Sequence, residues 1–511
     1  MAHTGLYFQV TALEQKTLEV LSLLLSMRNT FVPINRIPPE IISLIPDYWE
    51  NEVEKGVIAL THVCHGWREI FIHRSSLWTH LNCKDAEKTR VYIERSRSRP
   101  LEISLTRSGR TSYCNDVLLM AVPYISRLGS LTIHVPSKTL PHLFHRFPFP
   151  APFLTELKIY LHPINHDGPD PVIPNTIFPD HLSPLRRLSL SNIVTDLPWR
   201  NLSSLTVFEF HHVRSTVDLL FTKQLLDFFE STPLLRRIIL HNSIPKSSVV
   251  PSGRVIPLPN LEKLTIDNLP SHSTFLGHLS IPTDVSLDLG FSFSTDGPLI
   301  PTCLPGGFGN LGITTINLHL NESRIRLNGP SGELRIYRSR GYWDTSSLFQ
   351  SLGKFDLSKT RRLSVTGYSP PVDEIENSPI FHSFLLMNNL RTLALIETGY
   401  LPFIHALNPE QNKSRTVLCP GLEDLVIFIS HRDLSYLEEL TEMASNRVKK
   451  FSKLSSITFI RLLETHQYRY EVPDIFSLRK HVSRVEYKYD ASRPDWNAIF
   501  GGRGDGDYDG K

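Results

Sequence analysis

Beyond residue 100 the apolar positions fall into a short recurring phrase, L-x-x-L-x-(I/L/V), that reads as a brief strand with one buried face. It stands at Leu128–Ile133, Leu154–Ile159, Leu185–Leu190, Leu202–Val207, Leu235–Leu240 and Leu261–Ile266, and again at Leu390–Leu395, Leu422–Ile427 and Leu454–Phe459. Val482–Tyr487 is a weaker copy. Within each run the copies start 17 to 33 residues apart, long and uneven for leucine-rich repeats. Alternation puts the second Leu and the last apolar residue of each phrase on one strand face. A single repeat cannot bury that face, whereas stacked neighbours make it a continuous core. The pattern predicts a solenoid of parallel strands over residues 128–490, with apolar helices before some strands, as at Leu225–Glu230 and Phe384–Met387. The stretch 281–350 has strands at Val285–Leu289, Ile316–Leu320 and Leu334–Tyr337 but no clean phrase, and reads either as degenerate repeats or as an insertion.

Before residue 100 the period is helical. Residues 10–29 space apolar side chains three and four apart, an amphipathic helix within a lead-in of residues 1–32. Residues 33–83 form a compact block. Pro38 and Pro39 suit a first helical turn, where a missing N–H costs nothing, and Glu40 favours the positive end of that helix. Ile41, Ile42, Leu44 and Ile45 supply its apolar stripe. A second helix is expected from Val57 to Phe71, with Leu60, Val63, Cys64 and Trp67 at three- and four-residue steps. The block is too short to bury both its faces. Residues 84–127 bridge into the repeats, and residues 491–511 read as a disordered tail.

Charge narrows the function classes. With 54 Lys+Arg against 51 Asp+Glu, the formal charge of +3 gives no reason to expect nucleic acid or an anionic membrane as partner. No apolar run is long enough to span a membrane, and no clear signal peptide is present. Cys64, Cys83, Cys114, Cys303 and Cys419 are odd in number and lack metal or redox spacing, which favours a reducing cytoplasm or nucleus. The sequons at Asn201, Asn321 and Asn412 are then expected to stay unmodified. Cys64 lies in an apolar helical context without an evident His partner, so a structural thiol is expected there. Gly307 to Gly312 matches G-x-G-x-x-G but lacks the preceding strand and following helix that phosphate binding needs. Asp505 to Gly510 imitates a calcium loop without its twelfth-position Glu. Arg90, Arg95, Arg97 and Arg99, interspersed with Glu87 and Glu94, read as a solvated helix face. No catalytic residue, cofactor or metal ligand is expected.

Residues 37–78 resemble the F-box, and the chain as a whole resembles the F-box–leucine-rich-repeat proteins of mushroom-type (basidiomycete) fungi. The resemblance rests on Ile37-Pro38-Pro39-Glu40-Ile41, Ile45, Leu60, Val63-Cys64-His65-Gly66-Trp67-Arg68 and Leu77-Trp78, while Ala86–Leu105 is similar to that family's bridge into the repeats. It implies an α/β chain: a small all-α F-box, then an irregular leucine-rich-repeat solenoid with a parallel sheet lining its concave face. It further implies a Skp-type adaptor bound through Pro38, Pro39, Ile41, Ile45, Leu60, Val63, Cys64 and Trp67, with Trp67 as the anchor. Through that adaptor the chain would join a cullin–RING ubiquitin ligase, and the repeats would hold a protein substrate. The acidic stretch Pro46–Gly56 is longer than the family's usual link. The alternative is a repeat scaffold whose F-box no longer recruits a ligase. A third reading is an enzyme with its site in 281–350.

Between the core positions, each phrase points residues outward. They are polar in early copies, as in Arg237, His241, Lys263 and Asp267, and apolar in late ones. Ile396, Phe428 and Ile460 form either an exposed protein-binding patch or a surface covered by the C-terminal segment.

Overall fold

The computed structural model describes residues 2–48, 53–82, 86–106, 120–136, 150–162, 172–173, 184–195, 202–211, 222–242, 253–269, 274–291, 305, 311–320, 324–330, 332–338, 352–353, 355–367, 379–396, 399–411, 417–429, 436–450, 452–462 and 475–490. The expected tail, the Asp505–Gly510 motif and the three sequons lie outside these residues, as does most of the glycine motif. The chain divides into two compact units, Met1–Leu205 and Thr206–Lys511.

The first unit opens with the helices α1 (Ala2–Thr30), α2 (Pro39–Leu44), α3 (Val53–Thr61), α4 (His65–His73) and α5 (Ala86–Ser96). The helix expected from Val57 to Phe71 is broken in two. Cys64 is extended at φ −159°, its carbonyl accepts the Arg68 N–H at 3.0 Å, and Arg68 Nε donates to the Thr61 carbonyl at 2.9 Å. That side chain satisfies an orphan acceptor at the end of α3. Ile42, Val57, Leu60, Trp67, Phe71, Leu77 and Trp78 are buried and form the core of the block. Trp78 Nε1 donates to the Phe71 carbonyl at 2.9 Å, and its ring meets Tyr92 of α5 edge-on at 4.9 Å. The Arg95 guanidinium lies 4.4 Å over that ring, so Arg95 packs where a purely solvated face was expected.

The parallel ladder starts earlier than the recurring phrase does. β1 (His80–Asn82) pairs with β2 (Leu101–Thr106), which pairs with β3 (Leu128–Pro136); β4 (Glu156–His162) and β5 (Arg187–Ser191) follow. The bridge region thus contributes a rung. Leu131, Ile133, Leu157, Ile159, Leu188 and Leu190 are buried on one face, each contributing about 1.5–3 kcal/mol of apolar burial. Asn192, just after β5, turns the chain at φ 58° and donates Nδ2 to the Leu161 carbonyl at 2.8 Å. Asn242 and Asn268 adopt the same left-handed conformation in the second unit, a role Asn fills more cheaply than other residues with a Cβ.

In the second unit β6 (Val207–His211), β7 (Arg237–His241), β8 (Lys263–Leu269) and β9 (Ser286–Phe291) run parallel in chain order. The helix α6 (Thr222–Ser231) precedes β7, where an apolar helix was expected. The phrase read at Leu202–Val207 slips by three residues. Leu202 instead closes a turn, accepting the Leu205 N–H at 2.9 Å, and Phe208 and Phe210 occupy the core slots opposite Ile238 and Leu240.

Within 281–350, β9 continues the parallel ladder, and the described strands that follow it form an insertion. β10 (Thr315–His319), β11 (Arg324–Gly329) and β12 (Gly332–Arg338) form an antiparallel meander laid backwards within the ladder. β12 pairs parallel with β9, and β10 pairs parallel with β13 (Arg362–Thr366), giving the spatial order β9-β12-β11-β10-β13. Parallel pairing then resumes through β14 (Thr392–Ile396), β15 (Asp424–Ile429), β16 (Ser456–Leu462) and β17 (Arg484–Asp490). The helices between them are α7 (Pro379–Leu386), α8 (Tyr400–Leu407), α9 (Leu437–Lys449) and α10 (Phe476–Arg479).

The meander turn is tight at Gly332, where a Cβ would strike the backbone carbonyl oxygens of Thr283 and Val285. Backbone cannot swing aside as a side chain can, so Gly332→Ala is expected to cost about 1–3 kcal/mol, read as a lower urea midpoint for the full chain.

Candidate functional site

Two surfaces stand out, one in each unit. In the first, α2 turns Ile42 inward and leaves Ile41 and Leu44, three residues apart and hence on one helix face, in solvent. Pro38 and Pro39 are exposed beside them, and Ile45 is half-buried. Val63, in the turn between α3 and α4, is 55% exposed, and Cys64 is half-buried. Leu60 and Trp67 lie elsewhere. Leu60 is in the core, and Trp67 is 7% exposed, donates Nε1 to Asn35 Oδ1 at 2.8 Å and meets Phe71 edge-on at 5.7 Å. Trp67, the residue implied as the anchor, is thus buried within the block rather than displayed on its surface. Its indole closes the block from within, and Trp67 and Phe71, four residues apart in α4, face inward together.

The late apolar patch is likewise not an open one. Ile396, Phe428 and Ile460 form a buried cluster, with Val426 packed against it. They stand side by side across β14, β15 and β16 as expected. Tyr400 at the start of α8 donates its hydroxyl to the Phe428 carbonyl, and its ring packs 4.9 Å from the buried Tyr436. Alternation set the side of the sheet correctly but could not reveal that this side is covered.

In the second unit the sheet face opposite the Leu/Ile core carries two cross-strand rows of polar side chains. One runs through Thr265, Asp288, Arg335 and Arg326. Asp288 accepts the Thr265 hydroxyl at 3.4 Å and lies 3.3 Å from Lys263 Nζ and 3.6 Å from Arg335 Nε. Glu333 takes Arg335 Nη2 at 2.9 Å and Arg326 Nε. The other row runs His211, His241, Asp267, Gly290, Tyr337. His211 and His241 pack with ring centroids 4.7 Å apart, and His241 Nδ1 lies 2.9 Å from Asp267 Oδ2. Gly290 keeps the row continuous, since a Cβ there would collide with both the Asp267 carboxylate and the Tyr337 ring. Burial pushes the Asp267 carboxyl up, but hydrogen bonds from His241 and Tyr337 outweigh it and leave it below the ordinary value. Apart from the buried Thr265 and Asp288, these side chains are partly exposed, and their fixed, alternating charges form a patterned polar surface suited to recognising another by complementarity. His241, Lys263 and Asp267 were legible as outward positions. Asp288, Arg326, Glu333, Arg335 and Tyr337 were missed because 281–350 lacks the phrase, although R-I-R-L-N and E-L-R-I-Y-R there alternate charge with Leu or Ile.

Burial, reinforced by repulsion from His241, pushes His211 down to about 4 from its ordinary 6.5, against a smaller opposing pull from Glu209. Between those values the unfolded chain binds the proton and the folded chain does not, so stability falls as pH drops through that window. Thermal unfolding of the full chain at pH 7.5 and 5 is expected to show an acid loss that His211→Gln reduces. In the first unit the sign reverses at His80, whose pKa is raised by its hydrogen bond with Glu102, 2.7 Å away. That contribution is present below the ordinary histidine value and is lost as pH rises through the raised one.

Cys419 is buried, and burial drives its thiol up to about 12, which leaves it protonated and inert as a nucleophile at neutral pH. Among the described residues no group of His, Cys, Asp and Glu is arranged to hold a metal ion, and no helix is long and apolar enough to cross a membrane.

The chain matches no family model and no curated protein. It is similar to a solved structure of the TLR13–ssRNA13 complex, with 14% identity and a TM-score of 0.29 over 70% of this chain and 48% of that one. The chain thus spans about half the length of that structural relative.

Proposed function

We propose that this chain is a non-catalytic adaptor whose helical block is an F-box that docks a Skp-type partner, while its leucine-rich repeats hold a protein substrate for a cullin–RING ubiquitin ligase. The observation that carries the reading is the exposure of Ile41, Leu44 and Val63, flanked by Pro38 and Pro39, on a block whose own core is already closed. Apolar side chains left outside a completed core mark a partner surface. The polar rows of the second unit are the surface offered to the substrate. In this reading the protein works in the cytoplasm or nucleus without cofactor, nucleic acid or membrane.

The test is binding of the full chain to a purified Skp-type adaptor. Ile41→Asp is expected to weaken binding at least about thirtyfold, as loss of a central interface residue does, with the circular dichroism spectrum unchanged. Equal binding by the variant would overturn the docking face. A second reading, a repeat scaffold that recruits no ligase, is favoured by the inward placement of Leu60 and Trp67, which removes two implied contacts from the surface. Failure of the folded wild-type chain to bind any Skp-type adaptor would establish it over the first.

A further inference from the structure

We infer that a basic pocket at the leading edge of β10, β13 and β14 binds a phosphate group. The pocket has a volume of about 430 Å³ and is lined by Gly312, Thr314, Lys359, Arg361, Asn389 and Arg391 among others, within the size range of small-ligand sites. Its three cations are brought together by the ladder. Arg361 N–H donates to the Thr314 carbonyl at 2.9 Å, and Arg391 N–H to the Arg361 carbonyl at 2.8 Å, so the two arginines sit on adjacent strands. Gly312 takes a left-handed φ of 59°, and the Lys359 stem lies only 3.6 Å from where its Cβ would stand.

Like charges on neighbouring strands destabilise a sheet, and an equivalent step of this edge pairs opposite charges instead. Arg236 faces Glu262 across the equivalent step, with guanidinium and carboxylate 3.3 Å apart. Arg391 finds Glu423 at 3.6 Å on its far side, but Arg361 has only Thr314 there. Among the described residues no carboxylate lies within 4 Å of Arg361 or Lys359. Asp356, whose charge interacts with Lys359, is fully exposed and bound to the Ser358 N–H at 3.0 Å. The neutral side chains are engaged, Asn389 Nδ2 with the Ser358 carbonyl at 2.6 Å and the Thr314 hydroxyl with the Asn328 carbonyl at 3.3 Å. What remains is a triad of cations around a concavity, in which Arg391 is paired with Glu423, Lys359 feels only the solvent-exposed Asp356, and Arg361 has no carboxylate within 4 Å among the described residues. A phosphate group near neutral pH, carrying nearly two negative charges and three acceptor oxygens, matches it, and the planar forks of two arginines suit its geometry. The site stands apart from adaptor docking and does not depend on it.

The experiment is calorimetric titration of the full chain with inorganic pyrophosphate and, separately, with the tripeptide Gly-phosphoserine-Gly. One saturable site is expected, about tenfold weaker in each of Arg361→Gln, Arg391→Gln and Lys359→Gln, and unchanged in Arg236→Gln. Tighter binding of the tripeptide assigns the phosphate to a phosphorylated protein, and tighter binding of pyrophosphate to a free polyphosphate. A second readout guards against misfolding: without phosphate, Arg361→Gln should melt no lower than wild type, because it relieves repulsion. No saturable site at physiological salt, or affinities that all three variants retain, would overturn the proposal.

Discussion

Replacing Trp67 by Ala is expected to unfold the helical block of the first unit, at a cost of about 3–5 kcal/mol, rather than to strip a partner from an intact surface. Trp67 is buried, stacks edge-on with Phe71 and uses its only polar atom on Asn35. Removing it opens a cavity between α2 and α4 and leaves the Asn35 side chain without that donor. Stability on the order of 5–15 kcal/mol for a whole domain leaves a small helical block little reserve against such a loss. Trp67→Phe keeps most of the packing and is expected to cost about 1 kcal/mol for the missing hydrogen bond. Ile41→Asp, on the solvent side of α2, is expected to stay within about 0.5 kcal/mol of wild type. Urea unfolding followed by circular dichroism separates the three. Equal stability of Trp67→Ala and wild type would mean that the buried indole is not what holds the block together. The contrast matters because lost binding in a Trp67 variant would say nothing about docking, whereas lost binding in Ile41→Asp would.

How much of this was legible follows from which residues decide each feature. The ladder was readable because a strand's period is two, and Leu131, Ile133, Leu188 and Leu190 repeat it without interruption. The slip at β6 was not, because Leu202, Leu205 and Val207 satisfy the phrase as well as Leu205, Phe208 and Phe210 do; only pairing against Ile238 and Leu240 chooses between them. The β13 rung was missed because Thr360 stands where Leu is usual, buried with its hydroxyl donating to the Ile313 carbonyl at 3.2 Å. The meander did leave a signal. Only Leu320–Ser323 joins β10 to β11, and only Pro330–Ser331 joins β11 to β12, connections too short for the crossover that parallel strands need.

The candidate surfaces were legible to the same depth. Helical spacing grouped Leu60 with Trp67, and both are buried, but the spacing did not show the break at Cys64, where the exposed Arg68 side chain bonds the end of α3 from outside the apolar pattern. Alternation named Ile396, Phe428 and Ile460 as outward, and covering is decided by tertiary contacts such as the Tyr400 hydroxyl on Phe428. The polar rows depend on residues far apart in sequence, His211 with His241 and Asp267 with Tyr337, that meet only when the ladder stacks.

The largest single effect in the second unit is expected from Arg447 in α9, whose side chain is fully buried and whose hydrogen bonds among the described residues go to carbonyls and a hydroxyl rather than a carboxylate. It is held by main chain instead. Nη1 donates to the Leu418 carbonyl at 2.9 Å, and Nη2 to the Cys419 carbonyl at 2.9 Å and to Ser452 Oγ at 2.7 Å. Ser452 in turn donates to the Pro420 carbonyl at 2.9 Å. One side chain thus ties α9 to the segments that lead into β15 and β16, including Cys419 in its left-handed conformation at φ 47°. Burial brings the guanidinium down to about 10, still far enough above neutral pH for the charge to persist inside the protein. Arg447→Met preserves much of the volume but leaves those carbonyls buried without donors. Each such loss costs about 1–3 kcal/mol, and together they are expected to remove about 3–5 kcal/mol. Arg447→Lys keeps the charge but lacks the planar fork that reaches two carbonyls at once, so an intermediate loss is expected. Urea titration of the full chain reads the order wild type, Lys, Met as falling midpoints. A Met variant within about 1 kcal/mol of wild type would mean that the apolar packing of Leu418, Leu440 and Met443 holds these segments without the arginine.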